Sequence, residues 1–288
     1  MVKAIVTSIF VIILGILQGQ TEQIDVKVFL EGPFFNDHMN TDLNQGDHIP
    51  LDQPFNIPPW NYNGTESVSS IPSGDIVDWV LLDVVRQVSD TATPTFELYS
   101  RKAMFLLSNG NIRDLNGNDI PVFNFDNIVD FHVQVKHRNH LPVISSEALK
   151  EYSGVYTWDF TTGSDKAIGG ISAQKQMSLG VWSMIAADGN GSSQVDNRDK
   201  NSVWLTEYGN AGYFSGDYNM DGQVNITDIS AKWALNAGQG SSRARGILSV
   251  CEENGRYFCN GGKAVYLTGS HTWDNLQDIG GVNFNFEE

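Results

Sequence analysis

The stretch DYNMDGQVNITD, residues 217–228, decides how the second half of this chain folds. It places an oxygen-bearing side chain at almost every other position, and one glycine interrupts that alternation. Carboxylates this close together repel one another, so the folded segment needs a positive charge that balances them. The pattern therefore predicts that residues 217–228 wrap around a hard cation.

The spacing of these residues matches a twelve-residue EF-hand-type loop. Such a loop binds calcium through positions 1, 3, 5, 7, 9 and 12 and turns sharply at a glycine in position 6. Counted from Asp217, Gly222 falls at position 6, and Val224 at position 8 is the apolar residue that anchors the loop to a core. The same residue types also form metal-free Asx turns on protein surfaces, which is the alternative. The predicted calcium ligands are Asp217, Asn219, Asp221, the Gln223 carbonyl, Asn225 and Asp228.

A second copy of the pattern is DGNGSSQVDNRD, residues 188–199, which begins 29 residues earlier (217 minus 188). We refer to 188–199 as loop 1 and to 217–228 as loop 2. The predicted ligands of loop 1 are Asp188, Asn190, Ser192, the Gln194 carbonyl, Asp196 and Asp199. The two loops together predict two bound calcium ions.

The repeat extends beyond the ligands themselves. The same offset superimposes Val195 on Val224 and Trp204 on Trp233, so the apolar anchor and the start of a following helix recur as well. Repeats of this kind mark a supersecondary unit that packs against its own copy. Because serine stands at positions 5 and 6 of loop 1, in place of an acid and a glycine, we expect loop 1 to bind calcium more weakly.

Residues 182–238 resemble the loop–helix repeats of dockerin modules, the calcium-folded plugs of cellulosomal enzymes. The resemblance rests on Asp at position 12 of both loops and on the short, glycine-bounded stretches GVWSMIAA and GYFSG that precede them. It implies a small α-helical repeat pair that binds metal. It is less specific for a cohesin partner, because dockerin-like repeats also occur as purely structural elements.

The N-terminus predicts export. MVK is a short positive region, and AIVTSIFVIILGIL is an apolar region too short to span a bilayer, so residues 1–23 are interpreted as a cleavable signal peptide. No other segment is apolar enough to cross a membrane, so the mature protein is expected to be secreted or held at the cell surface. The net charge of −16 without a basic patch argues against binding to nucleic acid or to anionic lipid.

Residues 24–165 predict a mainly β fold, an antiparallel β-sandwich. Short strands with alternating or continuous apolar residues are separated by Asn-Gly and Pro-rich turns. A long Pro-, Asn- and Asp-rich segment, 31–72, interrupts them. The predicted strands lie in IDVKVFL (24–30), DIVDWVLLDVV (75–85), RKAMFLLSNGNIRDLNGND (101–119), NIVDFHVQVKHR (127–138) and GVYTWDFTT (154–162).

The region 24–238 resembles a module of large secreted proteins from Bacteroidetes-type bacteria. The resemblance rests on KVFLEGPF, MNTDLN, IPLDQPFN, PWNYNGTESV, the VDWVLLDVV strand and VKHRNHLPVIS, followed in order by the paired loops. It implies a secreted module that accompanies a catalytic or adhesive domain.

The C-terminal part differs in character. After a linker at 239–246, residues 247–288 resemble the start of a glycoside-hydrolase-like (β/α) barrel, a hairpin followed by a first strand AVYLTG. Such a barrel needs on the order of 200 residues or more, so this segment is interpreted as truncated. Within CEENGRYFC, Cys251 and Cys259 are predicted to form a disulfide across a hairpin, which is favoured over two free thiols in an exported protein.

Candidate residues for glycan contact are aromatic or lie at a predicted barrel-strand end: Trp60, Tyr62, His271 and Trp273. Trp60 and Tyr62 have an alternative use as anchors of the long loop. No catalytic residues are predicted, and the histidines of VKHRNH are interpreted as structural. Two classes of function remain: a non-catalytic, calcium-binding accessory module that serves adhesion, glycan binding or assembly with an extracellular polysaccharide or surface protein as partner, and the leading part of a polysaccharide-degrading glycoside hydrolase.

Overall fold

The computed structural model describes residues 20–89, 94–125, 130–240, 249–250, 258–260 and 263–265. The chain forms two compact units, Met1–Arg243 and Ala244–Glu288. The predicted signal peptide lies outside the described residues apart from its last four, which begin the first strand. Within the described ranges, no helix combines the length and apolar character needed to cross a bilayer.

The described elements are mostly strands. The strands are β1 (Gln20–Lys27), β2 (Phe34–Phe35), β3 (His38–Met39), β4 (Ile76–Gln87), β5 (Phe96–Leu107), β6 (Ile112–Arg113), β7 (Val122–Phe125), β8 (Phe131–Lys136), β9 (Val143–Ile144), β10 (Lys150–Tyr152), β11 (Val155–Asp159), β12 (Gln174–Ser178), β13 (Val181–Met184), β14 (Ser249–Val250), β15 (Phe258–Asn260) and β16 (Lys263–Val265). The helical segments are α1 (Asp42–Gln45), two 3₁₀ turns (Ser164–Lys166 and Gly170–Ser172), and two longer helices that begin at the ends of loops 1 and 2.

The first large sheet has five strands in the order β6-β5-β4-β8-β9, all antiparallel. Its central strand β4 is buried at every position from Ile76 to Val85, which explains why its sequence is apolar on both faces. One face packs on the other sheet, and the long 31–72 segment crosses the other face, where Trp79 Nε1 donates to the Pro50 carbonyl at 2.8 Å. The prediction of a central strand at 75–85 is confirmed.

The second large sheet has four strands in the order β10-β11-β1-β7. Strand β1 is antiparallel to β7 but parallel to β11, with Ile24 opposite Tyr156. The prediction of a purely antiparallel sandwich is therefore wrong at this pair. Alternation along a strand reports which face is buried but not the direction of its neighbour, and the chain visits the five-stranded sheet before it returns beside β1.

A single apolar core includes residues from both large sheets and from the long 31–72 segment, an arrangement consistent with a β-sandwich. It contains Ile24 and Val26 from β1, Phe123 from β7 and most of strands β4, β5 and β8. Trp79 and Phe105, both fully buried, pack with ring centroids 4.1 Å apart on the face of the five-stranded sheet that the long segment crosses. The prediction of a mainly β fold is confirmed.

The paired loops follow the β12–β13 hairpin. Helix α2 begins after loop 1 as the π-helical segment Asp199–Trp204 and continues as the α-helical turn Leu205–Glu207. Helix α3 repeats this with Asp228–Trp233 and Ala234–Asn236. The predicted pair of helices is present, but most of each helix is π-helical rather than α-helical. A spacing of three to four residues between apolar side chains does not distinguish α from π hydrogen bonding. Their apolar residues pack with Val195 and Tyr218 in a second, smaller core.

The second unit contains an antiparallel three-stranded sheet, β14-β15-β16, in which Ser249 pairs with Cys259. This agrees with the predicted C-terminal β-hairpin. The predicted Cys251–Cys259 disulfide and the candidate glycan contacts His271 and Trp273 lie outside the described residues.

Candidate metal centre

The two loops have the same burial at equivalent positions. The aspartates at positions 1 and 12 of each loop are buried, whereas the residue at position 5 is exposed and those at positions 3 and 9 are half-buried. Four carboxylates have an exposed fraction of 0%: Asp188, Asp199, Asp217 and Asp228. An inward-facing carboxylate at each end of the loop is what a central cation needs.

In loop 2, the first and last aspartates organise the backbone. Asp217 accepts the N–H groups of Asp221 at 3.2 Å and Gly222 at 2.9 Å. Asp228 accepts those of Asn219 at 3.1 Å and Asn225 at 2.8 Å. Both oxygens of Asp217 and one oxygen of Asp228 therefore have one hydrogen bond each and keep a second lone pair, whereas the other oxygen of Asp228 also accepts the N–H of Tyr218.

Loop 1 repeats these hydrogen bonds position by position. The carboxylate of Asp188 accepts the N–H groups at positions 5 and 6, both at 2.9 Å. Asp199 accepts those at positions 3 and 9, at 3.2 Å and 2.7 Å. The agreement shows that the two sequences fold into the same loop.

The buried carboxylates are electrostatically unfavourable as they stand. Burial, reinforced by the like charge of Asp199, raises the pKa of Asp188 to about 8. Burial raises the pKa of Asp217 to about 7 although the charge of Arg138 opposes it. Burial also raises the pKa of Asp199 to about 6 and that of Asp228 above its ordinary value. In the described part of the chain, none of the four forms a salt bridge.

The other predicted ligands differ between the loops. In loop 2, the exposed Asp221 accepts the Asn219 side-chain amide at 2.8 Å and the Gln223 N–H at 2.9 Å. In loop 1, the hydroxyl of Ser192 donates to the Gln194 carbonyl at 3.2 Å, so the predicted backbone ligand already has a partner. These contacts lie at the open side of each loop.

At position 9 the loops differ again. Asp196 is paired with Arg198, whose Nη2 lies 2.8 Å from its carboxylate. Asn225 accepts the N–H of Thr227 at 2.7 Å instead, and loop 2 has no cation at the corresponding place. Among the described residues, no three His, Cys, Asp or Glu side chains converge closely enough to hold a metal ion by themselves. Binding of an ion therefore requires amide and carbonyl oxygens as well, which are ordinary calcium ligands.

The two repeats interlock through reciprocal contacts. Nε1 of Trp204 donates to the carbonyl at position 9 of loop 2, and Nε1 of Trp233 donates to the same position of loop 1, both at 2.9 Å. The N–H of Val195 donates to the Gln239 carbonyl and that of Val224 to the Asn210 carbonyl, again at 2.9 Å. Each contact of one repeat has its counterpart 29 residues away, so the repeats are related by a local twofold.

Two residues that sequence reasoning missed join the loops. The hydroxyl of Tyr218 donates to the Asp199 carbonyl at 2.8 Å, while its N–H donates to Asp228 at 2.7 Å, so it contacts position 12 of both loops. The carbonyl of Asn139 accepts the N–H of Asp188 at 3.1 Å, and its side chain donates to the Asp217 carbonyl at 2.6 Å. Asn139 thereby fixes position 1 of both loops to the sandwich.

A buried acid attaches helix α3 to the sandwich. Glu31 is 2% exposed and accepts Lys175 Nζ at 2.6 Å and the Asn236 amide at 2.7 Å. Its carbonyl accepts Lys232 Nζ at 2.8 Å. The loops and the sandwich are therefore linked by buried polar contacts at both ends of the repeat pair.

The histidines of VKHRNH are also structural. His137 Nε2 lies 3.0 Å from Asp78, and His140 Nε2 accepts the Gly32 N–H at 3.0 Å. The two Nδ1 atoms lie 3.0 Å apart. Burial lowers the pKa of both rings, so both are neutral near pH 7.

Trp60 and Tyr62, the candidate glycan contacts within the described residues, are half-buried. The ring of Trp60 packs edge-on against Phe55, with centroids 5.4 Å apart. The hydroxyl of Tyr62 donates to Glu66 at 2.5 Å. Both residues anchor the long loop, and Trp60 in addition borders a cavity.

No protein family matches this chain, and no curated protein matches it. Solved structures that align with it include two interface mutants of a type II cohesin–X-dockerin complex from Acetivibrio cellulolyticus. Each alignment has a TM-score of 0.36 and 12% sequence identity, covers 76% or 77% of this chain and covers 98% of the other. A TM-score this low carries no argument about fold or function.

Proposed function

We propose that this protein is a secreted, non-catalytic accessory module that binds two calcium ions and serves adhesion, glycan binding or assembly at the cell surface. Its paired loops act as a dockerin-like calcium unit. The observation that carries the proposal is the set of four buried carboxylates, two per loop, without a salt bridge in the described part of the chain.

Electrostatics favours a bound cation over a bare loop. A buried carboxylate without a cation is costly and shifts its pKa until it is neutral, which is the direction of the shifts at Asp188 and Asp217. A divalent ion in each loop removes that cost without protonation. The alternative, an Asx turn held by hydrogen bonds alone, does not require buried acids at both ends of the loop.

The donor set selects calcium. All the candidate ligands are oxygens, from carboxylates, amides and backbone carbonyls, and calcium accepts six to eight such ligands in flexible geometry. Magnesium demands a more regular octahedron and retains its water. Export supports the same choice, because extracellular modules work with weak sites at millimolar calcium.

The bound ions would act on stability rather than on chemistry. They would hold the loops, helices α2 and α3, and through Asn139 and Glu31 the adjoining sandwich, in one fixed arrangement. A rigid surface of this kind suits a module that presents a binding face to a polysaccharide or to another surface protein.

Metal analysis tests the proposal. The purified protein, dialysed against millimolar calcium, should hold about two calcium ions per chain above the calcium content of the dialysate. Asp217→Asn and Asp188→Asn should each remove one, while the control Asp37→Asn, which changes a carboxylate whose side chain is 93% exposed, should remove none. Absence of calcium from the unmodified protein contradicts the proposal.

A further inference from the structure

A cavity of about 180 Å³ lies where the five-stranded sheet, the long segment and loop 1 meet. Pro59 and Trp60 form one wall, and Gly191 of loop 1 adjoins them. Arg101 and Lys136 reach the cavity from strands β5 and β8. Its volume equals that of about six water molecules, so it can admit one small group but not an extended chain.

Arg101 and Lys136 share one buried carboxylate. Nε and Nη2 of Arg101 each lie 2.6 Å from the oxygens of Asp83, and Nζ of Lys136 lies 2.8 Å away. The Asp83 side chain is only 1% exposed. Two cations against one carboxylate leave one positive charge in excess, in a chain whose net charge is −16.

Both cations retain hydrogen-bond donors for a ligand. A guanidinium group has five N–H donors and an ammonium group has three, and Asp83 takes two of the first and one of the second. The side chains remain 18% and 22% exposed. Within the described ranges, no second acceptor is bonded to either group, so the remaining donors are open to an anion.

The other groups at the cavity do not cancel this charge. His137 and His140 line it, but both are neutral near pH 7 and each already has a ring nitrogen in a hydrogen bond. Asp188 also lines the cavity, and its carboxylate faces the N–H groups of loop 1, where the proposed calcium ion would balance its charge. Glu66, bonded to the Tyr62 hydroxyl, lines a different cavity.

We propose that this cavity binds the acidic group, a carboxylate or a sulfate ester, of an acidic sugar. The planar guanidinium of Arg101 matches either group in two-point hydrogen bonding, and Lys136 adds charge. Trp60 and Pro59 offer a flat apolar wall on which the sugar ring can stack. The inference rests on the proposed function and deepens it, because it names the class of glycan.

Loop 1 shapes the wall of this cavity. Gly191 has a φ of +65°, and a Cβ atom there would lie 2.6 Å from Cγ of Pro59 and 3.2 Å from Cζ2 of Trp60. The glycine is therefore required both by its backbone conformation and by close contact with the wall. Because calcium would order loop 1, it would also preorganise the sugar site.

Three matched sugars test the proposal by saturation-transfer NMR on the full, calcium-loaded chain. Glucuronate and glucose 6-sulfate should bind, and glucose, which has neither acidic group, should not. Binding should weaken as salt is raised, since ions screen a partly exposed charge. Glucose binding as well as glucuronate would contradict the inference. Equal binding of a triglutamate peptide would show that the site recognises carboxylates without a sugar, which also contradicts it.

The variant Lys136→Gln sharpens the test because it leaves Asp83 and Arg101 as a balanced pair. Loss of the lysine should lower the affinity for both acidic sugars by about tenfold or more, the equivalent of one charged hydrogen bond. Lys150→Gln, which removes an exposed lysine on the edge strand β10, should leave the affinity unchanged. Equal affinities in the two variants would overturn the proposal.

A calcium count on the same samples separates the two proposals. If the protein retains two ions but binds neither acidic sugar, the sugar site is wrong and the calcium module stands. If the protein retains no calcium ions, the result contradicts the proposed function itself and not only the sugar site. Trp60→Phe, which keeps an aromatic wall, provides a second variant: it should weaken both acidic sugars and leave the calcium count unchanged.

Discussion

Loops 1 and 2 have the same backbone hydrogen bonds but different side chains at their open ends. Loop 2 offers Asp221 at position 5 and Gly222, with φ +83°, at position 6. Loop 1 has Ser192 at position 5 and holds Ser193 at φ +66° at position 6. The comparison shows that the same loop shape accompanies the shared buried aspartates, and we expect the exposed positions to set how strongly each loop binds an ion.

The difference at position 9 also predicts weaker calcium binding by loop 1 than by loop 2. Arg198 forms an ion pair with Asp196 in loop 1, and a calcium ion bound there would have to compete with that cation for the carboxylate. Loop 2 presents an uncharged amide, Asn225, with no competing cation at the corresponding position. We therefore expect calcium to occupy loop 2 first.

The largest expected effect is the loss of calcium-dependent stability in Asp217→Asn. Ligand binding to the native state alone stabilises it by about 2.7 kcal/mol at a hundredfold excess over Kd. Asp217→Asn should lose this contribution from loop 2, and Asp188→Asn should lose a smaller one from loop 1. The measurement is the difference in melting temperature between calcium and chelator, with Asp37→Asn as control. If Asp217→Asn gains as much from calcium as the unmodified protein does, the assignment of loop 2 is wrong.

The next effect is a change in the pH dependence of stability when calcium is removed. In chelator, Asp188 and Asp217 have pKa values of about 8 and about 7, above their unfolded values. The native state then binds the extra protons, so stability is full below the unfolded aspartate pKa, falls as pH rises toward these values and levels off above them. The loss should reach about 1.4 kcal/mol per pH unit for each titrating group.

The window for this test is about pH 5 to pH 8, between the unfolded pKa of an aspartate and the raised folded values. With calcium bound, the same carboxylates are already deprotonated, so stability should stay level or rise over this window. Denaturant unfolding at several pH values, with and without chelator, measures both slopes. Parallel slopes in the two conditions would contradict the proposed role of the buried aspartates.

A smaller effect is expected from Tyr218→Phe, which removes only the hydroxyl that joins the two loops. The hydrogen bond to the Asp199 carbonyl contributes about 1 kcal/mol. Its loss should weaken loop 1 although the substitution lies in loop 2, and should reduce any cooperativity between the ions. A calcium titration that changes only at loop 2 would show that the loops act independently.

The smallest effect should come from Ser193→Gly. A left-handed conformation costs a residue with a Cβ atom about 1 kcal/mol, and glycine removes this strain. Calcium should bind loop 1 several-fold more tightly, while loop 2 is unchanged. Ser192→Gly, one residue earlier and outside the left-handed region, serves as the matched control and should not improve binding.

The parts of the molecule that the sequence predicts are those with local or periodic signals. The offset of 29 residues identifies both loops, and the unbroken apolar run identifies β4 as a central strand. The contacts of Asn139 and Tyr218 are different, because they join residues distant in sequence and neither residue type is unusual at its position. Hydrogen bonds between residues that are distant in sequence leave no local pattern from which they could be predicted.

The same limit explains why the sequence did not predict the parallel pairing of β1 with β11 or the cavity beside Trp60. Strand direction follows from the path of the whole chain rather than from alternation. The excess charge beside Trp60 arises because β5 and β8 both flank β4 and place Arg101 and Lys136 on the same acid. In the sequence, the three residues are 18 and 53 positions apart, counted from Asp83.

Calorimetric titration of calcium into the metal-free protein tests the central claim most directly. The account predicts two binding events, of which Asp217→Asn removes the tighter and Asp188→Asn the weaker, while Asp37→Asn retains both. A titration that shows no binding heat at any temperature, or one that is identical in all four proteins, would contradict it.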